Sequence, residues 1–281
     1  MTSPKIVAHM AVENEIRWAW FALRSVLDYV DEILIWDLGS TDGTAEVLKS
    51  VSDPKIRFHS HPGGGGLNLT DTRQRMLAQT RGDWLFLVDG DEIWPSQAIS
   101  HSSSAIRSQG QNLDYLVHTY YNLVGDIYHY QEPGGGRYHL AGKTGHYTVR
   151  AVNLKRVPGV HFARPHGQQG IFDASDTLIQ DRPGAAYLDI PERYLHTTHL
   201  RRSLDVTSDA SVHKRTQKFK YELGLPLLDN FIYPACFYFP RPVNLPSPWE
   251  HRTLPYVLNA AWQTPVKFLH RRLVTSARSG Y

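Results

Sequence analysis

The apolar run at residues 84–88 is the part of the sequence that most constrains the fold. It reads Trp-Leu-Phe-Leu-Val without a polar break, and the acidic segment Asp89-Gly90-Asp91-Glu92 follows at once. A continuous apolar strand is typical of a parallel sheet that is covered on both faces, because a strand with one wet face alternates apolar and polar residues. The run therefore predicts a central strand of an α/β domain, with carboxylates at its C-terminal end.

Strand-like and helix-like segments alternate through the first hundred residues. Strands are predicted at residues 5–10, 32–37, 55–61 and 84–88. The helical spacing of Ile16, Trp20, Leu23 and Leu27 predicts a first helix, with Asn14 as its N-cap. Ser40 and Thr41 predict the cap of a second helix that reaches about residue 50, and Thr70 predicts the start of a third. This alternation predicts a doubly wound, mainly parallel sheet.

The rest of the chain has a different character. Residues 113–123 are rich in Tyr and β-forming residues, and Gly-rich turns follow at 134–136 and 142–145, which predicts a mixed, partly antiparallel half. Residues 205–223 predict a surface helix, and the Pro-rich residues 234–248 predict an extended tail. We therefore expect three parts: a mainly parallel α/β half at 1–100, a mixed half at 101–204, and a helical or extended appendage at 205–281.

Composition narrows the functional classes. The chain has 281 residues and a net charge of +3 with His neutral, too weak a bias to favour a nucleic-acid partner. Cys236 is the only cysteine, which excludes an intramolecular disulfide and a cysteine-based zinc site and favours a reducing, cytoplasmic location. No apolar run is long enough to span a bilayer. The basic residues 251–278 leave two interpretations: a solvated tail, which is favoured, or a peripheral contact with the inner face of a membrane.

Carboxylates follow two of the predicted strands. Asp37 ends the strand at 32–37, and Asp89 and Asp91 follow the apolar strand. Because the carboxyl ends of parallel strands meet at one edge, these side chains are expected to share a crevice. Clustered carboxylates repel one another unless a cation lies between them, and Mg²⁺ or Mn²⁺ takes such oxygen ligands together with substrate phosphates. Taken alone, each segment is equally compatible with a capped turn or an acidic surface turn.

Together the two segments resemble a known family. The strand ending in Asp37-Leu38-Gly39-Ser40-Thr41-Asp42-Gly43-Thr44, followed by Gly-Asp-Trp-Leu-Phe-Leu-Val-Asp-Gly-Asp-Glu at 82–92, is similar to the family 2 glycosyltransferases of the GT-A fold. The resemblance covers about residues 5–93, with Glu13-Asn14-Glu15 after the first strand. It implies inverting sugar transfer from a nucleoside diphosphate sugar, with UDP favoured and GDP possible, to a glycan or lipid-linked acceptor such as a cell-envelope or exopolysaccharide chain.

The resemblance also implies roles for the two halves and for individual residues. Residues 1–100 would bind the nucleotide sugar, and residues 101–204 would bind the acceptor and carry the catalytic residues. Asp37 would bind the nucleobase, as the sole carboxylate there because Leu38 replaces an acid often found in the family. Asp89 would bind the ribose or a metal-bound water, and Asp91 would bind Mn²⁺ or Mg²⁺. The remaining donor-site residues would be Glu13, Arg73 and Gly90.

The second half of the chain supplies the remaining candidates. His199 is expected to complete the metal shell, with His196 on the same face if the segment is helical, and Arg201 and Arg202 could meet the diphosphate. The Glu-Asp pair that supplies the catalytic base in many relatives is missing here. Asp173 is our candidate, because a Gly-flanked polar turn can approach an acceptor closely. The alternatives are His161, His166, Asp176 and Glu192.

Two other functions remain open from the sequence. A GT-A scaffold that has lost its base could bind a nucleotide or glycan without catalysis. A nucleotidyltransferase would also bind a nucleotide with acidic metal ligands, but it usually has a Gly-rich, basic loop after the first strand, where this chain has Val12-Glu13-Asn14-Glu15. The glycine run 63–66 lacks the Lys-Ser/Thr of a phosphate-binding loop and is predicted to be a surface loop or lid.

Overall fold

The computed structural model describes residues 3–61, 69–140, 142–165 and 168–273. An eight-stranded sheet, in the order β3-β2-β1-β4-β10-β6-β13-β5, dominates it. Its strands are β1 (Ile6–Val12), β2 (Glu32–Asp37), β3 (Ile56–Ser60), β4 (Trp84–Leu87), β5 (Glu92–Ile93), β6 (Tyr115–Asn122), β10 (Tyr147–Asn153) and β13 (Tyr187–His196). The described helices are α1 (Ala19–Val26), α2 (Thr44–Lys49), α3 (Leu69–Gln79), α4 (Ser96–Gln109), α5 (Val206–Ser211), α6 (Arg215–Lys218) and α7 (Leu254–Leu273).

The first four strands of the sheet are parallel, as predicted. Strand β1 pairs in parallel with β2 and β4, and β2 pairs in parallel with β3. Strand β10 is antiparallel to both β4 and β6, while β13 is parallel to β6 and antiparallel to β5. The sheet is therefore mainly parallel at one side and mixed at the other, which is the predicted fold class.

Small two-stranded units complete the second half. They pair β11 (His161–Ala163) with β12 (Gly170–Phe172), β8 (Tyr138–Leu140) with β9 (Lys143–Gly145), and β14 (Leu225–Pro226) with β7 (His129–Tyr130). Strand β11 packs on α3. This contact covers the face of the sheet that lies away from α1.

Strand β4 is buried on both faces, as its apolar run predicts. Trp84 and Phe86 belong to an apolar cluster with side chains of α1 and α4, whereas Leu85 and Leu87 belong to a different cluster on the opposite face. All four side chains are at most 1% exposed. Because period-2 alternation sends neighbours to opposite faces, two separate apolar layers hold this strand in place.

Two predicted helix starts are wrong by several residues. Helix α1 begins at Ala19, and Asn14 adopts a left-handed conformation instead of capping it. Helix α2 begins at Thr44 after Gly43, and the side chain of Asp42, not those of Ser40 and Thr41, accepts the Thr44 N–H. The reason is a tertiary contact that short-range capping rules do not include: Asn14 Oδ1 accepts the N–H of Thr41, so the loops after β1 and β2 are bonded to each other.

The appendage also differs in detail from the prediction. Residues 205–223 form two short helices, α5 and α6, in place of one longer helix. The Pro-rich stretch is largely irregular, with one 3-10 turn at Ala235–Tyr238, and Phe237 of this turn packs edge-on against Phe21 of α1. Beyond it, the 20-residue helix α7 was not predicted as a distinct element. The appendage therefore contributes both core contacts and a long surface helix.

Candidate donor site

The C-terminal ends of β1, β2 and β4 meet at one edge of the sheet. Val12 of β1 pairs with Asp37 of β2, so the loop that begins at Glu13 lies beside the Asp37 carboxylate. Asp37 is 2% exposed, and the backbone N–H of Ser40 lies 3.3 Å from its Oδ2. The pKa of Glu13 is raised, mainly by burial, with Asp37 adding to the shift and Arg215 opposing it. Asp37 and Glu13 are thus adjacent.

Asp89 and Asp91 are each bonded to arginine. Arg73 of α3 donates to Asp89 Oδ1 at 2.5 Å, and Arg202 donates to Asp91 Oδ2 at 2.7 Å. Burial alone would raise the pKa of both carboxyl groups, but the nearby cations outweigh burial. The pKa of Asp89 is lowered by Arg73 and Arg150, and that of Asp91 lies well below its usual range because of Arg202 and its other cationic neighbours. Both carboxylates are therefore ionised at neutral pH.

Gly90, between them, is required by a close approach of Glu15. A Cβ on Gly90 would lie 2.7 Å from Glu15 Oε2 and 2.8 Å from Val12 Cγ1. Either distance is shorter than a Cβ tolerates, and the Val12 side chain lies in the buried strand β1. The structure thus provides a packing reason for Gly90, and its predicted contact with the donor stays a prediction.

Glu15 links the two loops to the appendage. Its Oε1 accepts from Arg202 at 3.0 Å and from Arg215 at 2.9 Å, and Arg215 also donates to the backbone carbonyls of Glu13 and Asn14. Burial raises the pKa of Glu15 to about 7, although Arg202 and Arg215 oppose that shift. Residues far apart in sequence therefore surround the Asp91 carboxylate with a connected set of charges.

Glu92 and Arg150 form a second buried pair beside Asp89. Arg150 of β10 bonds to Glu92 Oε1, and its Nη2 lies 3.3 Å from Asp89 Oδ2. Tyr194 of β13 donates its hydroxyl to the same Glu92 oxygen at 2.9 Å. Glu92 is fully buried, and this burial raises its pKa. The acidic segment is thus not a solvated surface turn.

Several of the guanidinium N–H groups described at this edge of the sheet lack a protein partner. Among the described residues, Arg150 Nε and Nη1, Arg202 Nε and Arg215 Nε are buried and make no hydrogen bond. An unpaired buried donor is unfavourable, by about 1–3 kcal/mol and more for a charged group, so such donors indicate a site for an anionic ligand. We call the residues that meet at this edge the donor cluster: Glu13, Glu15, Asp37, Arg73, Asp89, Gly90, Asp91, Glu92, Arg150, His196, Arg202 and Arg215.

His196, and not His199, lies beside the Asp91 carboxylate. Strand β13 ends at His196, whose Nε2 lies 3.4 Å from Asp91 Oδ2. His199 instead accepts from Asn122 Nδ2 at 2.9 Å and donates from Nδ1 to the Lys218 carbonyl at 2.6 Å. Burial lowers the pKa of His199 well below its usual range. The two histidines do not share a helical face, and metal binding by His199, which stays a prediction, would require one of these bonds to break.

Asp173 has the contacts of a turn-forming carboxylate. Its Oδ1 accepts the backbone N–H groups of Ser175 and Thr177, and its Oδ2 pairs with Arg182 at 3.0 Å. Burial opposes the shift, but these hydrogen bonds and Arg182 lower its pKa. None of the contacts described for Asp173 joins it to the donor cluster. Its role as the base stays a prediction that these contacts do not support.

The other candidates for the base are engaged elsewhere. His161 pairs with Asp176 at 2.9 Å, and Glu192 pairs with His101 at 2.8 Å. His166 and the glycine run 63–66 lie outside the described residues. The contacts described for His161, Asp176 and Glu192 therefore join none of them to the donor cluster.

Sequence reasoning missed part of the donor cluster. Arg150 carries a detectable signal, because it is the one charged residue in the β-forming segment Tyr147–Asn153. Arg215 carries none, because it lies in a polar segment rich in Lys and Arg. Within the described residues, no three His, Cys, Asp or Glu side chains are grouped closely enough to hold a metal ion by themselves. A cation here would need ligands from a bound substrate.

Comparison with known proteins gives one family match and several distant relatives. A family model described as glycosyl transferase family 2 matches residues 8–163. An uncharacterized glycosyltransferase of Mycoplasma genitalium, MG060, is 30% identical over 95 residues, which are 32% of this chain and 31% of that protein. The matched segment thus spans about a third of that relative.

Solved structures resemble the chain at low sequence identity. TarS 1–349 of S. aureus is 14% identical, with a TM-score of 0.48, covering 76% of this chain and 71% of TarS. Glucosyl-3-phosphoglycerate synthase of Mycobacterium tuberculosis, solved with Mn²⁺, UDP and glucosyl-3-phosphoglycerate, is 18% identical, with a TM-score of 0.45, covering 74% of this chain and 76% of the synthase.

Proposed function

Because the chain belongs to glycosyl transferase family 2, we propose that it transfers a sugar from a nucleoside diphosphate sugar to an acceptor hydroxyl. One observation carries the proposal: Asp37 ends β2, Asp89 and Asp91 follow β4, both strands flank β1, and buried guanidinium groups contact the carboxylates of Asp89 and Asp91. Carboxylates can bind a nucleobase, a ribose and a cation, and guanidinium groups can bind a diphosphate. No other described part of the chain combines these groups.

The donor would lie along the ends of β1, β2 and β4. Asp37, with Glu13 beside it, would receive the nucleobase, and Asp89 the ribose or a metal-bound water. A uracil presents one ring N–H, which the single carboxylate of Asp37 can accept, so a UDP-sugar is favoured and a GDP-sugar is the alternative. Arg73, Arg150 and Arg202 would face the diphosphate.

The site residues fit a hard divalent cation that is shared with the substrate. Mg²⁺ or Mn²⁺ commonly takes one or two protein carboxylates and completes its shell with phosphate oxygens and water, so three protein ligands are not required. Asp91 would supply such a ligand, with Asp89 beside it, and His196 is better placed than His199 to add a nitrogen. When bound, the cation would stabilise negative charge on the departing diphosphate.

The reaction proposed is inverting transfer. The acceptor oxygen attacks the anomeric carbon, the bond to the diphosphate breaks with both electrons leaving on the phosphate oxygen, and a base takes the acceptor proton. The arginines of the donor cluster are already positioned by their carboxylates, so they can meet that charge without much reorganisation. Asp173 remains the base to be tested first, although a lowered pKa makes it a weak proton acceptor.

We propose a glycan or lipid-linked acceptor and a cytoplasmic location that includes the inner face of a membrane. The free and buried Cys236 is compatible with a reducing compartment. Among the described residues, no helix is both long and apolar enough to cross a bilayer. A lipid-linked acceptor would then be met from one side of the membrane.

The test of this proposal compares Asp91→Asn with the exposed variant Asp229→Asn. Release of free nucleotide from UDP- and GDP-sugars is measured with and without Mn²⁺. We expect Asp91→Asn to lose about 10²- to 10³-fold in metal-dependent turnover, because charge stabilisation on the leaving group contributes several kcal/mol. Asp229→Asn should retain the wild-type rate.

Two results would count against parts of the proposal. Full activity of Asp91→Asn, in a protein that melts at the wild-type temperature, would remove the metal assignment. Donor binding in a thermal-shift assay without any turnover would instead favour the catalytically impaired binding protein. Asp173→Asn, assayed in parallel, decides whether that carboxylate contributes to the rate.

A further inference from the structure

We propose that the outward face of helix α7 binds the surface of a lipid bilayer that contains anionic lipid. Six large apolar side chains of this helix are 59–81% exposed. We call them the α7 stripe: Leu254, Leu258, Trp262, Val266, Leu269 and Leu273. Monomeric soluble proteins rarely expose a contiguous apolar patch of this kind unless it meets a partner or a membrane.

The stripe occupies one side of the helix. At about 100° per residue, its six positions fall within an arc of about 120°. Tyr256 and Ala260, which are 7% and 0% exposed, lie on the opposite side. The helix is therefore oriented with its large apolar residues away from the protein, the reverse of an ordinary surface helix.

Polar contacts hold the helix in this orientation. The Tyr256 hydroxyl donates to the Lys220 carbonyl at 2.7 Å, and Thr264 Oγ1 accepts the Leu223 N–H at 2.9 Å. One turn further along, Lys267 donates to the Tyr221 carbonyl at 2.9 Å, and Arg271 pairs with Glu222 at 2.5 Å. Four successive bonds along the helix thus attach its polar face to residues 220–223, and the stripe remains in solvent.

The charges on α7 indicate which kind of partner the stripe binds. The helix contains no Asp or Glu, and its last two turns contain Lys267, His270, Arg271 and Arg272. His270 and Arg272 are exposed, with the Arg272 guanidinium 4.0 Å from the centre of the Phe268 ring. Juxtamembrane basic residues are attracted to anionic headgroups, and an exposed Trp such as Trp262 suits the bilayer interface. Charge and apolarity together match an anionic membrane surface.

A second copy of the chain is a poorer match to the stripe. Successive residues of the α7 stripe are four, four, four, three and four positions apart, whereas the residues of a coiled-coil seam alternate between spacings of three and four. Paired helices also use opposite charges beside the seam, and α7 has no acidic residue to offer. A dimer through α7 is nevertheless an outcome that the experiment below detects.

This inference deepens the proposed acceptor chemistry but is tested without it. If the stripe helps the protein to reach a lipid-linked acceptor, that role rests on the proposed sugar transfer. The binding of the stripe to lipid does not rest on it, because this binding needs neither donor nor metal. Failure of one proposal therefore leaves the other standing.

The experiment is flotation of the full chain with vesicles of phosphatidylcholine alone or with about 30% phosphatidylglycerol. The test variant combines Leu258→Gln, Trp262→Gln and Val266→Gln. The matched control combines Leu228→Gln and Val243→Gln, which replace exposed apolar residues outside the helix. We expect at least about tenfold stronger binding to the anionic vesicles and at least about tenfold weaker binding of the α7 variant, with the control unchanged.

Circular dichroism and thermal unfolding verify that the α7 variant is folded, so a change in flotation reports a change in lipid binding. A second variant combines His270→Gln with Arg272→Gln. It should bind anionic vesicles more weakly than the wild type at low salt, and its binding should fall less when the salt concentration is raised. Absence of wild-type binding to anionic vesicles, or equal binding by the α7 variant, overturns the proposal. So does a stable wild-type dimer that the α7 variant abolishes.

Discussion

The donor cluster and helix α7 both reverse the usual distribution of side chains, in opposite ways. In the donor cluster, charged groups such as Asp91 and Glu92 are at most 3% exposed, although charges are usually solvated. On α7, Leu and Trp side chains face solvent while polar ones attach the helix to the protein. Each arrangement is unfavourable in water alone, so each indicates a ligand that supplies what water does not: ions in one case and an apolar surface in the other.

The two regions should differ in how they respond to mutation. Removing one partner of a buried ion pair leaves a charge in a poorly solvated place, which destabilises a protein strongly. Replacing an exposed apolar side chain removes few contacts within the molecule. The donor cluster should therefore be sensitive to single substitutions that the α7 stripe tolerates.

The largest effect is expected for Arg202→Met. This change leaves Glu15 and Asp91 without the guanidinium that both contact, and the free energy of unfolding should fall by about 3–5 kcal/mol at pH 8. The loss should shrink at pH 5, because the uncompensated carboxyl groups can then be protonated. Urea unfolding at the two pH values measures this.

The control Arg107→Met, which removes a surface pair with Asp31, should lose about 1 kcal/mol or less. Equal losses for the two variants would contradict a buried cluster.

A second prediction contrasts the ionised donor cluster with buried imidazoles that stay neutral. His9 Nε2 is hydrogen-bonded to Thr80 Oγ1 at 2.6 Å and His118 Nε2 to Ser102 Oγ at 2.9 Å, and burial lowers the pKa of each imidazole to about 3. Below the unfolded pKa of about 6.5, only the unfolded chain takes up the proton, so stability falls as the pH falls from about 6.5 toward 3.

At pH 5, each of these histidines should reduce the free energy of unfolding by about 2 kcal/mol relative to pH 8. His118→Asn should therefore have a shallower pH dependence than the wild type by that amount, and His9→Gln likewise. The control variant, measured in parallel, is His139→Gln at an exposed position. If His118→Asn had the same pH dependence as the wild type, the wild-type His118 imidazole would take up its proton equally in the folded and unfolded states, which would contradict this prediction.

The sequence predicted much of the fold because its signals there are local. Continuous apolar runs and strand-helix alternation identify β1 to β4 and α3, and the family and fold class implied by the two acidic segments are confirmed. The helix starts at Asn14 and Ser40 were wrong because those residues bond across two loops, as Asn14 does with Thr41. Capping preferences describe neighbours in sequence, and this contact is between loops.

The site was less predictable for the same physical reason. Asp37, Asp89 and Asp91 follow strands whose ends must converge, so their proximity follows from topology. Arg150 and Arg215 reach them from other elements, and their partners depend on how the mixed half and the appendage dock. The orientation of α7 is the clearest case: the helix was not predicted as an element, and its large apolar side chains face solvent because contacts such as that of Tyr256 with Lys220 attach its other face to the protein.

The smallest effect is expected on α7, and it decides whether the stripe is really unpartnered within the molecule. Leu258→Gln and Leu269→Gln should each change the free energy of unfolding by about 0.5 kcal/mol or less, because both side chains are mostly in solvent. Ala260→Leu, on the attached face, should lower it by about 1–3 kcal/mol, since the added carbons enter a contact with no exposed surface. Thermal and urea unfolding measure the three variants side by side. If Leu258→Gln destabilised the protein as much as Ala260→Leu does, the stripe would be covered by the chain itself, and it would not be available to a membrane.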